Sequence, residues 1–183
     1  MLVDIDDFKT VNDTFGHVFG DKVLSDTAAR LRGVFRKRDM IGRLGGDEFI
    51  IFLPSLTHKK IALEKAERIC EAMCAAYCCG EKRKTVSGSV GVAFFPEHGE
   101  EPGTLYEKAD IALYHAKNMG KNRYALYSPE LANAGRDGNE ARVLDHKEEI
   151  SGPGKTSDAD AVGPEKDAEA DDSGAVREKR QDA

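Results

Sequence analysis

The chain has 183 residues and a net charge of −6, with both signs of charge mixed along its length. This length suits one domain and is too short for two ordinary ones, and the charge balance offers no general nucleic-acid footprint. No apolar run approaches the roughly 20 residues that cross a bilayer, and no signal peptide opens the chain, so we expect no membrane segment and a cytoplasmic location.

The first predicted element is a short apolar strand, "MLVDI", which runs into Asp4, Asp6 and Asp7. "GDKVLSDTAARLRGVF" has helical spacing, and the apolar runs on either side of Gly45 and Gly46 are typical of a β-hairpin whose turn needs positive φ. Helical spacing returns in "HKKIALEKAERICEAMCAAY", "KTVSGSVGVAFF" alternates like a strand, and a further helix and strand follow. This order predicts an α/β or α+β sandwich, with helices packed on a central sheet.

Two acidic clusters stand at the ends of predicted strands. Asp47 and Glu48 open the strand that returns from the glycine pair and should project to opposite faces. Asp4 and Asp6 share a face if the first strand continues, and Lys9 follows within reach. Two acidic strand ends beside a lysine suit Mg²⁺ and a phosphate. For either cluster alone, solvated strand ends beside turns are the better interpretation.

The four cysteines, Cys70, Cys74, Cys78 and Cys79, are all close together in the sequence. A spacing of four puts the first three along one side of a helix. A zinc site is an alternative, but known zinc patterns use short loop spacings and no histidine lies among these residues. We therefore expect small, buried helix residues.

The character of the chain changes near residue 128. Beyond this point there is no aromatic residue, and such a sequence cannot bury enough apolar area to offset the entropy of ordering it. We expect one domain over residues 1–128 and a disordered, charged tail over 129–183, with a short helical piece at 139–150.

Five sequence motifs of the chain together resemble those of a known family. In order and spacing the chain resembles the GGDEF family of diguanylate cyclases, through "DIDDFKTVNDTFGHVFGDKVL", "RKRD", "GRLGGDEF", "SGSVGVAFFP" and "ADIALYHAKNMGKNRYALY". The resemblance implies a central, mostly antiparallel sheet flanked by helices, similar to the palm of nucleotide cyclases and polymerases. It also implies an enzyme that condenses two GTP into cyclic di-GMP and releases two pyrophosphates.

The family resemblance assigns roles to the acidic residues. Asp4 and Asp47 match the positions that hold two divalent ions, Mg²⁺ or Mn²⁺, with the backbone carbonyl of Ile5 assisting. Glu48 matches the group that activates the attacking hydroxyl or supports the second metal. The glycines of the turn, Gly45 and Gly46, let nucleotide and metal approach the backbone.

The same resemblance assigns the nucleotide contacts. Asn12 and Asp21 match the guanine-reading positions, and a carboxylate suits the adjacent N–H donors of guanine. The triphosphate-holding positions correspond to the backbone amides of Asp7 and Phe8 together with the side chains of Lys9, Lys117 and Lys121. Each subunit of the family holds one GTP, so a homodimer is implied.

Arg36 and Asp39 fit the RxxD pattern of the family. In relatives that have it, this pair binds the product at a separate inhibitory site, where arginine can engage phosphate or guanine. An ordinary charged connection after a helix is the alternative, since short charged patterns recur by accident.

Two features depart from the family and keep a second function open. The family commonly has arginine at the position of Lys121. Lysine replaces the several N–H donors of a guanidinium by a single point charge. The family's segment before the first strand, with its helices, is missing, which should leave apolar sheet surface exposed and make the chain an N-terminally truncated domain. The alternative function is a weak or inactive module that binds GTP or cyclic di-GMP as a sensor.

Overall fold

The computed structural model describes residues 1–134, so the helical piece predicted at 139–150 and most of the predicted tail lie outside the described residues. The elements follow in the order β1 (Leu2–Ile5), α1 (Phe8–Phe15), α2 (His17–Val34), β2 (Met40–Gly45), β3 (Glu48–Phe52), α3 (Lys59–Met73), β4 (Ala75–Cys79), β5 (Lys82–Val86), β6 (Gly88–Val92), α4 (Pro102–Asn118), β7 (Tyr124–Leu126) and α5 (Pro129–Ala134). Helix α5 therefore continues regular structure past the predicted boundary at residue 128.

Five strands form the main sheet in the order β2-β3-β1-β6-β7. Strand β1 is central and pairs antiparallel with both β3 and β6, while β6 and β7 are parallel. The predicted fold class, a mostly antiparallel sheet flanked by helices, is confirmed. No helix among residues 1–134 is long and apolar enough to cross a membrane.

Helices cover both faces of the sheet, and successive side chains of β1 point to opposite faces. Val3 and Ile5 belong to the large core that includes residues of α1, α2 and α3, whereas Leu2 packs with Ala109 and Leu113 of α4. Helix α4 lies directly on β6, since a Cβ at Gly91 would come within 1.9 Å of the Ala109 carbonyl oxygen. The end of β1 is thereby enclosed between α4 and the neighbouring strands.

The cysteine prediction is wrong for three of the four residues. Helix α3 ends at Met73, and the residues after it form β4, which pairs with β5 in a separate two-stranded sheet. Cys70 is buried on the helix, but Cys74, Cys78 and Cys79 are exposed. The helical spacing continued past the true helix end, and pairing with a strand further along the chain decided the structure instead.

The single strand predicted over 84–95 is also corrected. It is divided at Ser87 into β5, which pairs with β4, and β6, which pairs with β1. The backbone carbonyl of Ser87 accepts the N–H of Asp6 at 2.9 Å, so the division lies where the chain moves from the small sheet to the large one.

Candidate active site at the end of the central strand

The two acidic clusters meet through strand pairing. Asp4 and Glu48 are directly opposed in the register of β1 and β3, and the N–H of Ile5 donates to the carbonyl of Asp47 at 3.3 Å. The pairing brings together four residues that the sequence analysis assigned to metal binding. Asp47 lies in the turn and not on the returning strand, which begins at Glu48.

The turn between β2 and β3 is held by an arginine. Of the glycine pair, Gly46 has a positive φ of 49°, so the prediction of positive φ holds for this residue and not for Gly45. The Arg43 guanidinium donates to the Gly46 carbonyl through Nε at 2.9 Å and Nη2 at 2.7 Å. A Cβ at either glycine would meet nothing within 4 Å, so the surface over this turn is open.

Asp4 lies in an unfavourable environment for its own charge. It is only 3% exposed, and burial raises the pKa of its carboxyl from 3.8 to about 6. The ion pair with Lys117, whose Nζ lies 2.6 Å from Asp4 Oδ1, opposes this shift, while Asp47 and Glu48 raise the pKa further. Several negative groups therefore surround one point at which a cation is favoured.

The residues fit a divalent cation that also contacts a nucleotide. Two carboxylates and a carbonyl are hard oxygen ligands, and Mg²⁺ is bound by one or two carboxylates together with phosphate oxygens. Within residues 1–134, no three or more His, Cys, Asp or Glu side chains converge as a complete metal site. The protein can thus supply part of a coordination shell, and a substrate phosphate is the chemically apt remainder.

Both lysines assigned to the triphosphate lie at this end of the sheet. Lys117 is in the last turn of α4, whereas Lys121 follows the helix in a turn with a φ of 61°. The Lys121 Nζ donates to Asp7 Oδ1 at 2.6 Å, and this bond raises the pKa of Lys121 and lowers that of Asp7. Each lysine is thus paired with a carboxylate: Lys117 with the predicted metal ligand Asp4, and Lys121 with Asp7, whose backbone amide is assigned to the triphosphate.

The start of α1 is the second element of the site. Asp7 is its N-cap in a left-handed conformation with a φ of 54°, and no side chain caps this helix end. Helix N-termini favour anions because their N–H groups and the helix dipole point the same way. The amides of Asp7 and Phe8 are therefore at a suitable place for phosphate, with exposed Lys9 following.

The guanine-reading residues come from two packed helices. Asn12 is on α1 and exposed Asp21 is on α2, and a Cβ at Gly20 would come within 1.9 Å of Asn12 Oδ1. Asn12 therefore lies against the turn of α2 that carries Asp21. Gly20 was not among the predicted site residues, although a glycine inside a helical pattern is a signal of close packing.

Arg36 and Asp39 lie in the connection between α2 and β2. Asp39 is 5% exposed, accepts the backbone N–H of Arg36 at 2.9 Å, and pairs with Lys65 Nζ at 3.5 Å. Arg36 itself is exposed. Lys65 of α3, which no sequence pattern indicated, is thus the partner of the predicted inhibitory-site carboxylate.

The comparisons with known proteins identify the family of the chain. The family model described as "Diguanylate cyclase, GGDEF domain" matches residues 1–123. The chain is 40% identical over 152 residues to the diguanylate cyclase TpbB of Pseudomonas aeruginosa, a match that covers 82% of this chain and 33% of TpbB. It spans about a fifth to a third of the length of such curated relatives.

Solved structures give the same family. The GGDEF domain of TpbB from Pseudomonas aeruginosa superposes with a TM-score of 0.65 at 38% identity, covering 69% of this chain and 80% of that one. The GGDEF domain of DgcB from Caulobacter crescentus, in complex with c-di-GMP, has a TM-score of 0.58 at 30% identity and covers 68% of this chain and 74% of that one. The chain belongs to the GGDEF family of diguanylate cyclases.

Proposed function

We propose that this chain condenses two molecules of GTP into cyclic di-GMP with release of two pyrophosphates. The observation that supports this most is the register of β1 and β3, in which Asp4 and Glu48 are opposed and Asp47 lies at the adjoining turn. These acids stand beside the two lysines and the helix N-terminus that suit a triphosphate. Carboxylates and cations at one point are what phosphoryl chemistry requires.

In the reaction, the 3′-hydroxyl of one GTP attacks the α-phosphorus of another, and pyrophosphate leaves. Asp4, Asp47 and the Ile5 carbonyl would hold Mg²⁺ or Mn²⁺, and Glu48 would take the hydroxyl proton or support the second ion. When bound, the divalent ions neutralise charge on the phosphates and lower the pKa of the attacking hydroxyl. Most of the catalytic work is positioning and electrostatic stabilisation.

The remaining residues bind the nucleotide. Lys117 and Lys121 exchange their carboxylate partners for phosphate oxygens when GTP binds, and the uncapped start of α1 receives the rest of the triphosphate charge. Asn12 and Asp21 read the guanine edge, because a carboxylate accepts from the adjacent N–H donors of that base. The open surface over Gly45 and Gly46 leaves room for the nucleotide.

The experiment is incubation of the purified chain with GTP and Mg²⁺, with cyclic di-GMP and pyrophosphate measured by chromatography. Asp47→Asn and Glu48→Gln are each expected to lower the rate at least about 100-fold. This is the lower end of the rate loss that follows removal of one acid–base or electrostatic group. Glu64→Gln is the matched control, since Glu64 is an exposed acid of α3 whose nearest ion-pair partner is Lys60 at 3.7 Å. Equal rates in the Glu48→Gln and Glu64→Gln variants would contradict the assignment.

A second candidate is a module that binds cyclic di-GMP or GTP with little turnover. The DgcB structure contains c-di-GMP, and this chain has an RxxD pair with an exposed arginine, Arg36. Calorimetric titration of cyclic di-GMP should then detect binding that Arg36→Ala abolishes, with Arg32→Ala of α2 as the control. Binding without GTP turnover favours the module, and unchanged binding in Arg36→Ala excludes this site.

A further inference from the structure

Asp6 follows the end of β1 at Ile5 and is a buried carboxylate to which the proposed mechanism assigns no role. It is 5% exposed, and its two oxygens accept three hydrogen bonds. Ser87 Oγ donates to Oδ2 at 2.6 Å, Ser89 Oγ donates to Oδ1 at 2.7 Å, and the backbone N–H of Asn122 donates to Oδ2 at 3.0 Å. A single side chain therefore joins the end of β1, the start of β6 and the turn between α4 and β7.

The turn that Asp6 holds has an unusual backbone. Gly120, Lys121 and Asn122 follow one another with φ values of 110°, 61° and 48°. Two of these residues carry a Cβ, and L-residues seldom adopt the left-handed region, so the surroundings must hold this conformation. The Lys121 N–H donates to the Ala116 carbonyl at 3.2 Å, and the Asn122 N–H donates to Asp6.

The turn sets the position of the Lys121 ammonium. Its Nζ lies 2.6 Å from the carboxylate of Asp7, the residue after Asp6 and the N-cap of α1. The bond between Asp6 and Asn122 therefore ties the main chain of the turn to the same short segment that Lys121 contacts. If this bond is lost, the left-handed turn can relax and the ammonium is no longer fixed at the helix start.

We propose that Asp6 is a positioning residue that holds the turn of residues 120–122, so that Lys121 lies at the N-terminus of α1 where the triphosphate binds. This inference rests on the proposed function. A carboxylate suits position 6 because three hydrogen-bond donors face this side chain, and both oxygens of Asp6 can accept. An amide would turn one acceptor into a donor that faces a serine hydroxyl or a backbone N–H.

The experiment is a double-mutant cycle on GTP affinity in the full chain. The dissociation constant of guanosine 5′-(α,β-methylene)triphosphate with Mg²⁺ is measured by calorimetry for the unmodified chain, Asp6→Asn, Lys121→Met and the double variant. We expect about a 10-fold loss of affinity in each single variant, since Lys121→Met removes a charge contact to the triphosphate and Asp6→Asn leaves the same ammonium misplaced. The double variant should bind within about twofold of Lys121→Met, because Asp6 acts through that lysine.

Ser89→Ala is the matched control. It removes the donor to Oδ1 and leaves the Asn122 bond to Oδ2, so it should lower the melting temperature while keeping affinity within about twofold of the unmodified chain. If the two losses of affinity multiply in the double variant, or if Ser89→Ala loses as much affinity as Asp6→Asn, the inference about Asp6 is wrong while the proposed function stands. Absence of nucleotide binding by the unmodified chain would overturn the proposed function together with it.

Amide hydrogen exchange of the unmodified chain keeps the inference testable should Asp6→Asn not fold. The Asn122 side chain is exposed, yet its N–H donates to a buried carboxylate, so its exchange should be slowed at least about 100-fold relative to an unstructured peptide. Exchange at the rate of an unstructured peptide would contradict the proposed hold on the turn.

Discussion

Gly20 and Asn12 are in such close contact that one residue decides the position of the other. A Cβ at position 20 would lie 1.9 Å from Asn12 Oδ1 and 3.1 Å from Cγ. The two nearest atoms belong to the end of a flexible side chain, whereas Phe8 Cζ at 3.3 Å need move only a few tenths of an ångström, so a larger residue displaces Asn12 and leaves the helices in place. The glycine therefore bears on the proposed contact of Asn12 with guanine more than on the fold.

Gly20→Ala is expected to weaken GTP binding about 10-fold, on the order of one lost base contact. Its effect on unfolding should be small, since alanine is favoured over glycine in a helix by up to about 1 kcal/mol. Gly33→Ala is the matched control on the same helix, where a Cβ meets nothing within 4 Å. Calorimetric affinity and the melting temperature separate the two effects, and equal affinity in both variants would argue against a role for Asn12.

The charge state of Asp4 also acts at the residue scale. Burial holds its pKa at about 6, so the folded chain binds this proton up to that pH, whereas the unfolded chain releases it near 3.8. Because the folded state binds more protons, the contribution of Asp4 to stability is greatest below pH 4 and falls by about 3 kcal/mol as the pH rises to 6. Metal binding has the opposite requirement, since the ligand must be ionised.

Divalent metal binding is therefore expected to weaken about tenfold per pH unit below pH 6 and to be nearly constant above pH 7. Titration with Mn²⁺ in the presence of the methylene GTP analogue, followed by electron paramagnetic resonance from pH 5 to 8, measures this directly. Asp4→Asn should bind weakly throughout and lose the inflection near pH 6. An unmodified chain without that inflection would show that Asp4 does not ligate the metal.

At the scale of elements, local patterns predicted α2, α3, α4 and the hairpin, but not the short helices α1 and α5 or the small sheet. The spacing that indicates α2 and the glycine pair that ends β2 are signals within a few residues. By contrast, β4 pairs with β5 through contacts such as Ala75 with Val86, and nothing near Cys74 indicates that the helix stops. Non-local pairing overrides a helical pattern whenever it buries more surface, and one sequence does not reveal it.

The connection between α2 and β2 depends on a partner from α3. Lys65 is 13% exposed, pairs with buried Asp39, donates to the Val34 carbonyl at 2.9 Å, and lies 4.6 Å from the Phe35 ring centroid. Its removal leaves Asp39 charged and buried without its cation. Such a loss is strongly destabilising, because the cost of the unpaired charge remains.

Lys65→Met is expected to lower the free energy of unfolding by about 2–4 kcal/mol. Lys60→Met is the control on the same helix, since Lys60 is 85% exposed and its pairing with Glu64 at 3.7 Å should contribute less than about 1 kcal/mol. Urea denaturation of the two variants measures both values. Equal stability would mean that Asp39 does not need its cation and is free to serve another partner.

At the scale of the whole molecule, the sheet determines which predictions about the site could be made. The acidic motifs are visible in the sequence, but their meeting depends on the register of β1 with β3, which are separated by two helices and a strand. The family resemblance supplied that juxtaposition, and the structure has it. The hydrogen bonds of Asp6 join residues more than 80 positions apart and lie beyond any local pattern.

The same architecture bears on how many chains one reaction requires. With the one GTP per chain that the proposed function implies, nucleotides from two chains must face each other for both bonds to form. We therefore expect the rate per chain to rise in proportion to chain concentration when the dimer is weak, because two chains must meet. Initial rates at saturating GTP over a 100-fold dilution series measure this, with light scattering to follow assembly. Mixing the chain with excess Glu48→Gln should trap mixed pairs in which one bond forms, so a linear dinucleotide accumulates. A rate per chain that is independent of dilution, while light scattering reports monomers, would show that one chain completes the reaction alone.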